Sequence, residues 1–152
     1  MQGVRGKDKK PGEFRTEQNW IGPKNCKIKQ ASFVPPSSLA IHDHLEAWIS
    51  YININEEVLS QLAVAHAQFE IIHPFMDGNG RIGRILIPLF LYKKKMLHRP
   101  MFFLSGYLEE RRDEYCDALG RISAKRDWLG WLNFFLEAVR TQAIRNTNKA
   151  KD

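Results

Sequence analysis

The stretch from His73 to Arg84, which reads HPFMDGNGRIGR, constrains this chain more than any other segment. Apolar residues at helical spacing lead into it from Val58 and leave it from Ile82, so two helices should meet there. Pro74 should end the first helix, because its ring and its missing N–H do not suit a helix interior. The chemistry of this stretch therefore lies at a helix–helix junction.

Glycines in the stretch allow a tight turn before the second helix, which is expected to begin near Arg81. Gly78 and Gly80 let the backbone adopt conformations in which a Cβ would be strained. The unpaired N–H groups at such a helix start form a binding site for anions, most often phosphate. Arg81 and Arg84 are three positions apart, so both can face the same ligand.

Two further side chains of the stretch suggest chemistry. Asp77 is a hard oxygen ligand, suited to a magnesium ion carried by phosphates rather than to a metal enclosed by protein. His73 can accept a proton from an attacking hydroxyl near neutral pH. A glycine-rich turn with solvated charges would explain the glycines and Phe75 alone. It would not explain why a base, a carboxylate, an asparagine and two arginines converge there.

This stretch resembles the signature of Fic-domain proteins, HPFx[D/E]GNGRxxR, and matches every specified position. The similarity extends over FRTEQNWIG (Phe14–Gly22), FVPPSS (Phe33–Ser38) and LSGYLEERRDEY (Leu104–Tyr115), and so covers most of the chain. Fic proteins typically transfer the AMP moiety of ATP to a Ser, Thr or Tyr hydroxyl of another protein. The resemblance therefore implies a protein adenylyltransferase, with ATP and magnesium, that acts on a hydroxyl-bearing protein.

The resemblance also implies a role for each side chain of the stretch. His73 would be the general base and Asp77 the magnesium ligand. The remaining positions would hold the phosphates, the two arginines taking the β- and γ-phosphates: Gly78, Asn79, Gly80, Arg81 and Arg84. Family members often carry a tyrosine close to the nucleotide near Tyr107, and core packing is the equally weighted alternative for that residue.

The resemblance implies a mainly α fold, a compact helical bundle around a central buried helix, with one β-hairpin flap beside the active-site loop. The continuous apolar pattern of Ile82–Met96 marks it as that central helix. The flap should pair Phe14–Ile21 with Lys27–Val34 around a Gly-Pro turn. Its edge would align the target protein by strand addition, through a segment that comprises Lys29, Gln30, Ala31, Ser32 and Phe33. A hairpin that only covers the core is the alternative.

The length of 152 residues fits a single domain. We expect residues 1–13 to be an exposed arm, residues 14–34 the flap, residues 37–145 the helical core and residues 146–152 a frayed tail. No signal-peptide pattern and no membrane-spanning apolar run is present, so a cytoplasmic protein without a membrane partner is expected. Cys26 and Cys116 match no metal-ligand spacing and no disulfide framework.

Capping residues place the helix boundaries. Ser37 or Ser38 should cap a helix that runs to about Asn53, and Asn55 should cap the next. Ser105 should cap a helix through Leu119, which Gly120 and the following charged residues interrupt. Asp127 should cap the last helix, whose end frays from Arg140. The boundary residues are Ser37, Ser38, Asn53, Asn55, Ser105, Leu119, Gly120, Asp127 and Arg140.

Three other histidines do not indicate a metal site. His42 and His44 flank Asp43, but neighbours in a helix do not face one another and no further ligand set accompanies them. His66 lies on the apolar stripe of its predicted helix, which favours a hydrogen-bonded core residue over a catalytic one. Glu70, beside Phe69, is expected to support the loop.

A net charge of +6 raises the question of a nucleic-acid partner. No binding motif and no aromatic stacking face accompanies the basic residues, so nucleic acid is disfavoured. Solvated helix ends account for the run Lys93–Lys95, and a nucleotide polyanion is the ligand that the positive field would attract. Related activities stay open: transfer of UMP, phosphocholine or phosphate, removal of AMP, or a silenced toxin-like or nucleotide-sensing module. Gly80 speaks against the phosphate-transferring Doc branch, which has lysine there.

Regulation is expected from outside these residues. Many Fic proteins carry an inhibitory helix, [S/T]xxxE[G/N], whose glutamate pairs with the second motif arginine. Ser105–Glu110 fails that pattern at its last position, and no other segment matches it. We therefore expect a truncated or minimal form, with an inhibitory element or antitoxin elsewhere, and homo-oligomerisation stays open.

Overall fold

The computed structural model describes residues 12–23 and 25–149 of the chain. Two short 3₁₀ turns, Ile28–Gln30 and Ser38–Ala40, come first. The α-helices within the described ranges, numbered in chain order, are α1 (Ile41–Asn53), α2 (Val58–Ile72), α3 (Asn79–Lys93), α4 (Ser105–Glu110), α5 (Arg112–Lys125) and α6 (Trp128–Lys149). The expectation of a mainly helical fold is confirmed. None of the described helices has the length and apolarity that crossing a membrane requires.

The central buried helix of the bundle is α2, and the prediction that Ile82–Met96 is that helix is wrong. Nine of the fifteen residues of α2 are buried, and α1, α3 and α6 all pack against it. Helix α3 instead leaves Ile85, Leu89 and Tyr92 on an exposed face. Three of the buried residues of α2 are polar, so the sequence of α2 does not indicate how buried it is. The apolar residues of α3 conversely do not indicate that one of its faces is exposed.

Helix α6 packs against α2, α4 and α5 and contributes large aromatic residues to the core. Trp131 and Phe135 are fully buried, and the indole Nε1 of Trp131 donates a hydrogen bond of 2.8 Å to the carbonyl oxygen of Ala63 in α2. Small residues in α2, such as Ala63 and Ala67, allow this close approach. Packing between distant parts of the chain therefore holds α2, whose C-terminal end carries His73.

The predicted β-hairpin is wrong, because no β-strand forms within residues 12–23 and 25–149. A single antiparallel bridge joins Ile21 to Phe33. The second predicted strand, Lys27–Val34, contains the 3₁₀ turn Ile28–Gln30 instead. The side-chain Oε1 of Gln30 accepts a hydrogen bond of 3.2 Å from the N–H of Lys27. This segment therefore satisfies its polar groups locally rather than in a strand ladder.

Two capping predictions are confirmed and two are wrong. Ser37 accepts a hydrogen bond from Leu39 N–H, and Asp127 accepts one from Gly130 N–H. Helix α2 is capped by Glu57, whose two carboxylate oxygens accept from Leu59 and Ser60 N–H, rather than by Asn55. Ser105 makes no cap either, because it is already the first residue of α4.

The C-terminal half also departs from the predicted boundaries. The helix expected through Leu119 is divided at Arg111 into α4 and α5, and Gly120 lies inside α5 instead of ending it. Helix α6 continues past Arg140 to Lys149, so residues 146–149 of the predicted frayed tail are helical. Residues 150–152, and residues 1–11 of the predicted arm, lie outside the described residues.

Candidate active site

His73 follows the last residue of α2 and has a left-handed backbone conformation, with φ of 49°. Its N–H still bonds to the carbonyl of Phe69, and Pro74 then prevents the helix from continuing. The ring Nδ1 lies 3.3 Å from the carbonyl oxygen of Glu70. A carbonyl can only accept, so Nδ1 carries the proton and Nε2 is the basic atom of the neutral ring.

Burial lowers the pKa of His73, because a charged imidazole loses solvation at the end of α2. The Glu70 carbonyl raises this pKa, the charge of Arg15 lowers it, and the carboxylate of Asp77 raises it. Burial is the largest of these causes. His73 is therefore held in the neutral form near pH 7, as a proton acceptor requires.

The turn between α2 and α3 is held by the side chain of Asn79, which is almost fully buried. Its Oδ1 accepts a hydrogen bond of 2.9 Å from Phe75 N–H, and its Nδ2 donates one of 2.7 Å to the Phe75 carbonyl. Asn79 was expected in the phosphate cradle. Its side chain is occupied within the turn, so only its backbone N–H is available to an anion.

Gly78 precedes α3 with φ of 87°, a conformation that disfavours any residue with a Cβ. Gly80 lies in the first turn of α3, where a Cβ would come within 3.2 Å of Nη1 of Arg84. Glycine at this position therefore leaves room for the guanidinium of Arg84 beside the helix start. The N–H groups of this first turn have no partners inside the helix.

Asp77 and Arg81 form an ion pair across the turn. Nη2 of Arg81 lies 3.2 Å from Oδ2 of Asp77, and both side chains are about half exposed. The other oxygen of Asp77 accepts a hydrogen bond of 2.7 Å from Gly78 N–H. No group of three or more potential metal ligands occurs among the described residues. A single accessible carboxylate fits a metal ion carried by phosphates, not one enclosed by protein.

His66 is confirmed as a hydrogen-bonded core residue. Its Nδ1 donates to the carbonyl of Gly83 at 3.3 Å, and its Nε2 lies 3.0 Å from the hydroxyl of Tyr115. Burial lowers the pKa of His66 to about 4. The residue ties α2 to α3 and α5 in its neutral form, which leaves it no part in proton transfer at pH 7.

Glu70 is a buried carboxyl group next to the turn between α2 and α3. It is 9% exposed, and its Oε1 has no hydrogen-bond partner. Burial raises the pKa of Glu70 to about 7, although the nearby charge of Arg84 acts in the opposite direction. A Cβ on Gly83 would overlap Oε1 of Glu70. The expected support of the loop thus takes the form of close packing under α3.

A polar cleft of about 330 Å³ brings the predicted loop residues together. The members that sequence reasoning identified are His73, Asp77, Gly78, Asn79, Gly80, Arg81 and Arg84. Helices α4 and α5 supply wall residues that it missed as site residues, among them Glu109, Arg112 and Cys116. Their positions in the sequence carry no local signal of this kind, since only the packing of α5 against the rest of the core brings them to the loop.

Tyr107 does not line the cleft. It is 4% exposed within the hydrophobic core, with the guanidinium groups of Arg111 and Arg145 about 5.5 and 5.6 Å from its ring centre. The structure therefore places this residue in the core-packing role that was the alternative to nucleotide contact.

The segment expected to dock the target borders the active-site loop on another side. Ser32 and Phe33 line an apolar cavity of about 190 Å³ that shares Glu70 and Cys116 with the polar cleft. The N–H groups of its last four residues bond to carbonyls within the chain, so they do not form an open strand edge: Gln30, Ala31, Ser32 and Phe33. Lys29 is exposed.

Arg15 is a buried residue near the active site that sequence reasoning did not single out. Its guanidinium donates to the carbonyls of Ile72 and His73 at the end of α2. The only signal was its place inside the segment FRTEQNWIG, because nothing in the local pattern distinguishes it from the surrounding basic residues.

The described helices gather a histidine, a helix N-terminus and two arginines around one cleft, and such a set of groups can bind phosphate. The Fic/DOC family model matches residues 1–91 of the 152-residue chain. The chain therefore belongs to the Fic/DOC family.

Similar proteins agree with this assignment. A probable protein adenylyltransferase of Aquifex aeolicus is 27% identical over 132 residues, which cover 76% of this chain and 41% of that protein. The protein adenylyltransferase Fic of Drosophila mojavensis is 34% identical over 86 residues, 54% of this chain and 15% of the relative. The chain thus spans less than half the length of these relatives.

A solved structure shares the fold. The crystal structure of a Fic family protein from Desulfovibrio desulfuricans G20 superposes with a TM-score of 0.81 at 24% sequence identity. The match covers 97% of this chain and 44% of the other. The arrangement of helices around α2 is therefore that of a known Fic family fold.

Proposed function

We propose that this chain transfers AMP from Mg·ATP to a Ser, Thr or Tyr hydroxyl of a target protein. The observation that carries the proposal is the single cleft that gathers His73, the start of α3, Arg81 and Arg84. The names of the relatives from Aquifex aeolicus and Drosophila mojavensis support the same activity.

The phosphates would be held by the start of α3. The backbone N–H groups of its first turn would donate to the α- and β-phosphates, and the positive end of the helix favours their charge. Arg84, whose guanidinium lies next to Gly80 at the first turn, would bind the tail of the triphosphate. Arg81 would join it on leaving its ion pair with Asp77.

Asp77 is the residue that would hold magnesium. One of its oxygens accepts from Gly78 N–H and the other faces Arg81. On nucleotide binding, a phosphate would replace Asp77 as the partner of Arg81, and the metal ion would bind the Asp77 oxygen that Arg81 releases. Magnesium, when bound, would screen the charge of the triphosphate and of the departing pyrophosphate.

The transfer step requires a proton acceptor at the attacking hydroxyl. His73 Nε2 takes this proton while the hydroxyl oxygen forms a bond to the α-phosphorus. The bond between the α-phosphorus and the oxygen that bridges it to the β-phosphorus breaks, and pyrophosphate leaves with that electron pair. No covalent enzyme intermediate is needed. Positioning and charge stabilisation supply most of the rate.

The target would dock on the segment that comprises Lys29, Gln30, Ala31, Ser32 and Phe33. Because most N–H groups of this segment are already bonded, docking would use its carbonyl oxygens and exposed side chains, such as Lys29. The apolar cavity beside Phe33 would take an apolar part of the substrate. An inhibitory group that pairs with Arg84 would come from an element outside this chain.

The proposal is tested with labelled ATP, UTP and CDP-choline, each incubated with the protein and a cell lysate. We expect label from ATP on a discrete protein band, and a mass increase of one AMP. His73→Ala should retain ATP binding and lose about 10²–10⁴-fold in transfer rate. His44→Ala, an exposed histidine on α1, is the matched control and should be unaffected. Label from UTP or CDP-choline alone would overturn the choice of ATP as donor.

Equal transfer by the His73→Ala variant, at matched ATP occupancy, would contradict the assignment of the base. Saturable ATP binding without any transfer to protein would favour the nucleotide-sensing alternative. Arg84→Ala should weaken ATP binding by about 1.5–3 kcal/mol, the value of a hydrogen bond to a charged group. Calorimetry measures this loss directly and separates it from the loss of the base.

A further inference from the structure

Arg15 is a buried cation at the C-terminal end of α2. Its side chain is 3% exposed, and it forms no salt bridge with a described carboxylate. Nε donates to the carbonyl of His73 at 2.9 Å, and Nη2 donates to the carbonyls of Ile72 and Pro36. Nη1 donates to the carbonyl of Glu17 at 3.3 Å. Burial lowers the pKa of this guanidinium.

Burying a guanidinium without a carboxylate partner lowers the stability of the folded protein, so the position of Arg15 calls for an explanation. A buried charge loses its hydration, and neutral carbonyls repay less than a carboxylate would. Two of the carbonyls, those of Ile72 and His73, belong to the end of α2, where helix acceptors lack partners and a positive charge is favoured. The backbone N–H of Arg15 also bonds to the Pro74 carbonyl at 2.9 Å. Arg15 therefore contacts three consecutive peptide groups around the candidate base.

His73 needs such a restraint, because it is a non-glycine residue in the left-handed region. That conformation is unfavourable for a residue with a Cβ, because the Cβ approaches the following carbonyl oxygen. A bond to the His73 carbonyl fixes the peptide plane on one side of this residue, and the Pro74 contact fixes the next. The direction of the imidazole then follows from a backbone that cannot relax.

We propose that Arg15 is a positioning residue for His73: its guanidinium holds the His73 peptide in the conformation that presents the imidazole to the cleft. The inference rests on the proposed role of His73 as base. Arg15 is not part of the cleft that would take the nucleotide, so it acts on the base and not on ATP affinity.

The His73 pKa tests this proposal, because replacing a residue that only supports the fold should not change that pKa. From the N-terminal segment, Arg15 lowers the pKa of His73, and from the turn, Asp77 raises it. Within α2 the Glu70 carbonyl raises it, while the side chains of Glu70 and Arg84 line the same cleft. Removal of the Arg15 charge should therefore raise the His73 pKa.

The decisive measurement is an NMR titration of the His73 imidazole in the full chain without nucleotide. Arg15→Gln should raise the His73 pKa, and Arg15→Lys, which keeps the charge, should leave it closer to the wild-type value. Ser38→Ala is the matched control, because Ser38 Oγ ties the same segment to the 3₁₀ turn Ser38–Ala40 by donating to the Thr16 carbonyl at 2.9 Å, and makes no hydrogen bond to His73. It should not change the titration.

Kinetics supply the second readout. In Arg15→Gln we expect kcat to fall about 10- to 100-fold at unchanged ATP affinity, and the acid limb of the rate profile to move to higher pH with the His73 titration. Millimolar guanidinium added to Arg15→Ala should restore part of the transfer rate. If Arg15→Gln or Arg15→Ala does not fold, the same kinetic measurements are made on the more conservative variant Arg15→Lys.

The two proposals fail in distinguishable ways. If the wild-type protein transfers nothing, the function is wrong, and the NMR titration still decides whether Arg15 controls His73. An unchanged His73 pKa in folded Arg15→Gln would overturn the positioning role. So would an equal loss of kcat in Ser38→Ala, since it would show that any loosening of this segment has the same effect.

Discussion

Glu70 shows how a single buried group links stability to pH. Its pKa is raised to about 7 by burial, whereas the carboxyl of an unfolded chain titrates near its ordinary value of 4.5. Between these two values the folded state binds more protons than the unfolded state. The free energy of unfolding contributed by this residue therefore falls as the pH rises from 4.5 to 7.

Glu70→Gln should remove that dependence, because glutamine resembles the protonated acid at every pH. We expect a small difference in stability from wild type near pH 4.5, and a relative stabilisation that grows by about 1.4 kcal/mol per pH unit to about 3 kcal/mol above pH 7. Urea unfolding at pH 5, 6, 7 and 8 measures the difference.

Glu46→Gln, on the exposed surface of α1, is the control for that series, because it makes the same substitution at a carboxyl that is not buried. His66 has the opposite effect on stability, which is lost as the pH falls from 6.5 towards its lowered pKa of about 4. It is present in both proteins, so its contribution cancels in the comparison. A pH-independent difference between Glu70→Gln and wild type would show that Glu70 titrates normally.

At the scale of single elements, the caps decide where helices begin. Glu57 satisfies two backbone N–H groups at the start of α2, at distances of 3.0 and 2.7 Å. Its pKa is lowered, first of all by the backbone hydrogen bond to Ser60, as expected for a carboxylate that acts as a cap.

Glu57→Ala should destabilise the protein by about 0.5–2 kcal/mol, the usual cost of losing an N-cap. Asn55→Ala, which changes the residue that the sequence favoured as cap, should cost less than about 0.5 kcal/mol. Chemical unfolding of the two variants at pH 7 compares them. A larger loss for Asn55→Ala would place the helix start two residues earlier than the structure has it.

Two glycines within helices have opposite environments. Gly120 in α5 has nothing near the position of a Cβ, whereas a Cβ on Gly83 in α3 would overlap Oε1 of Glu70. Gly120→Ala should therefore stabilise the protein by about 0.5–1 kcal/mol through helix propensity. Gly83→Ala should destabilise it, typically by about 1–3 kcal/mol for overpacking.

Thermal unfolding of both variants gives the comparison, with the sign as the criterion. Stabilisation by both substitutions would mean that helix propensity outweighs the contact between α2 and α3 at Gly83, and destabilisation by both would mean that Gly120 is not in open space. The double variant Gly83→Ala, Glu70→Ala should recover part of the lost stability, because it removes the group with which the added Cβ collides.

At the scale of the whole molecule, the part of the chain beyond the family match completes the core. The matched residues 1–91 end within α3, and α6 follows far along the chain. Trp131, Phe135 and Ala138 of α6 are fully buried against α2. The active-site end of α2 thus depends on residues that carry no part of the loop motif.

Trp131→Ala should cost about 3–5 kcal/mol, because it leaves a large cavity and removes the hydrogen bond to Ala63. Leu129→Ala, two positions earlier and 71% exposed, should change the free energy of unfolding by less than about 0.5 kcal/mol. Urea unfolding measures both. If the two losses were similar, α6 would not be docked in solution as it is in the structure.

The loop from His73 to Arg84 was predictable because its chemistry is local. Proline ends one helix, and glycines form the turn because they adopt its backbone conformation without strain from a Cβ. The two arginines share a helix face because they are three positions apart. The cleft contains every loop residue predicted for it. The buried state of His66 followed equally well from helical periodicity.

The predictions that failed concern pairing and burial, which depend on distant residues. The hairpin was wrong because a strand forms only when a partner lies alongside, and here the segment turns into a 3₁₀ helix. The central helix was misplaced because periodicity identifies an apolar face without saying whether another element covers it, as the exposed Leu89 illustrates.

The sequence by itself determined the family, the loop and its candidate chemistry, since these depend on residue types at short spacings. Only the tertiary structure placed Glu109, Arg112 and Cys116 at the cleft, and Arg15 at the carbonyl of His73, 58 positions away. Such contacts are made by chain segments that meet only after the core has packed, because the buried surfaces of α2 and α6 decide which distant residues become neighbours.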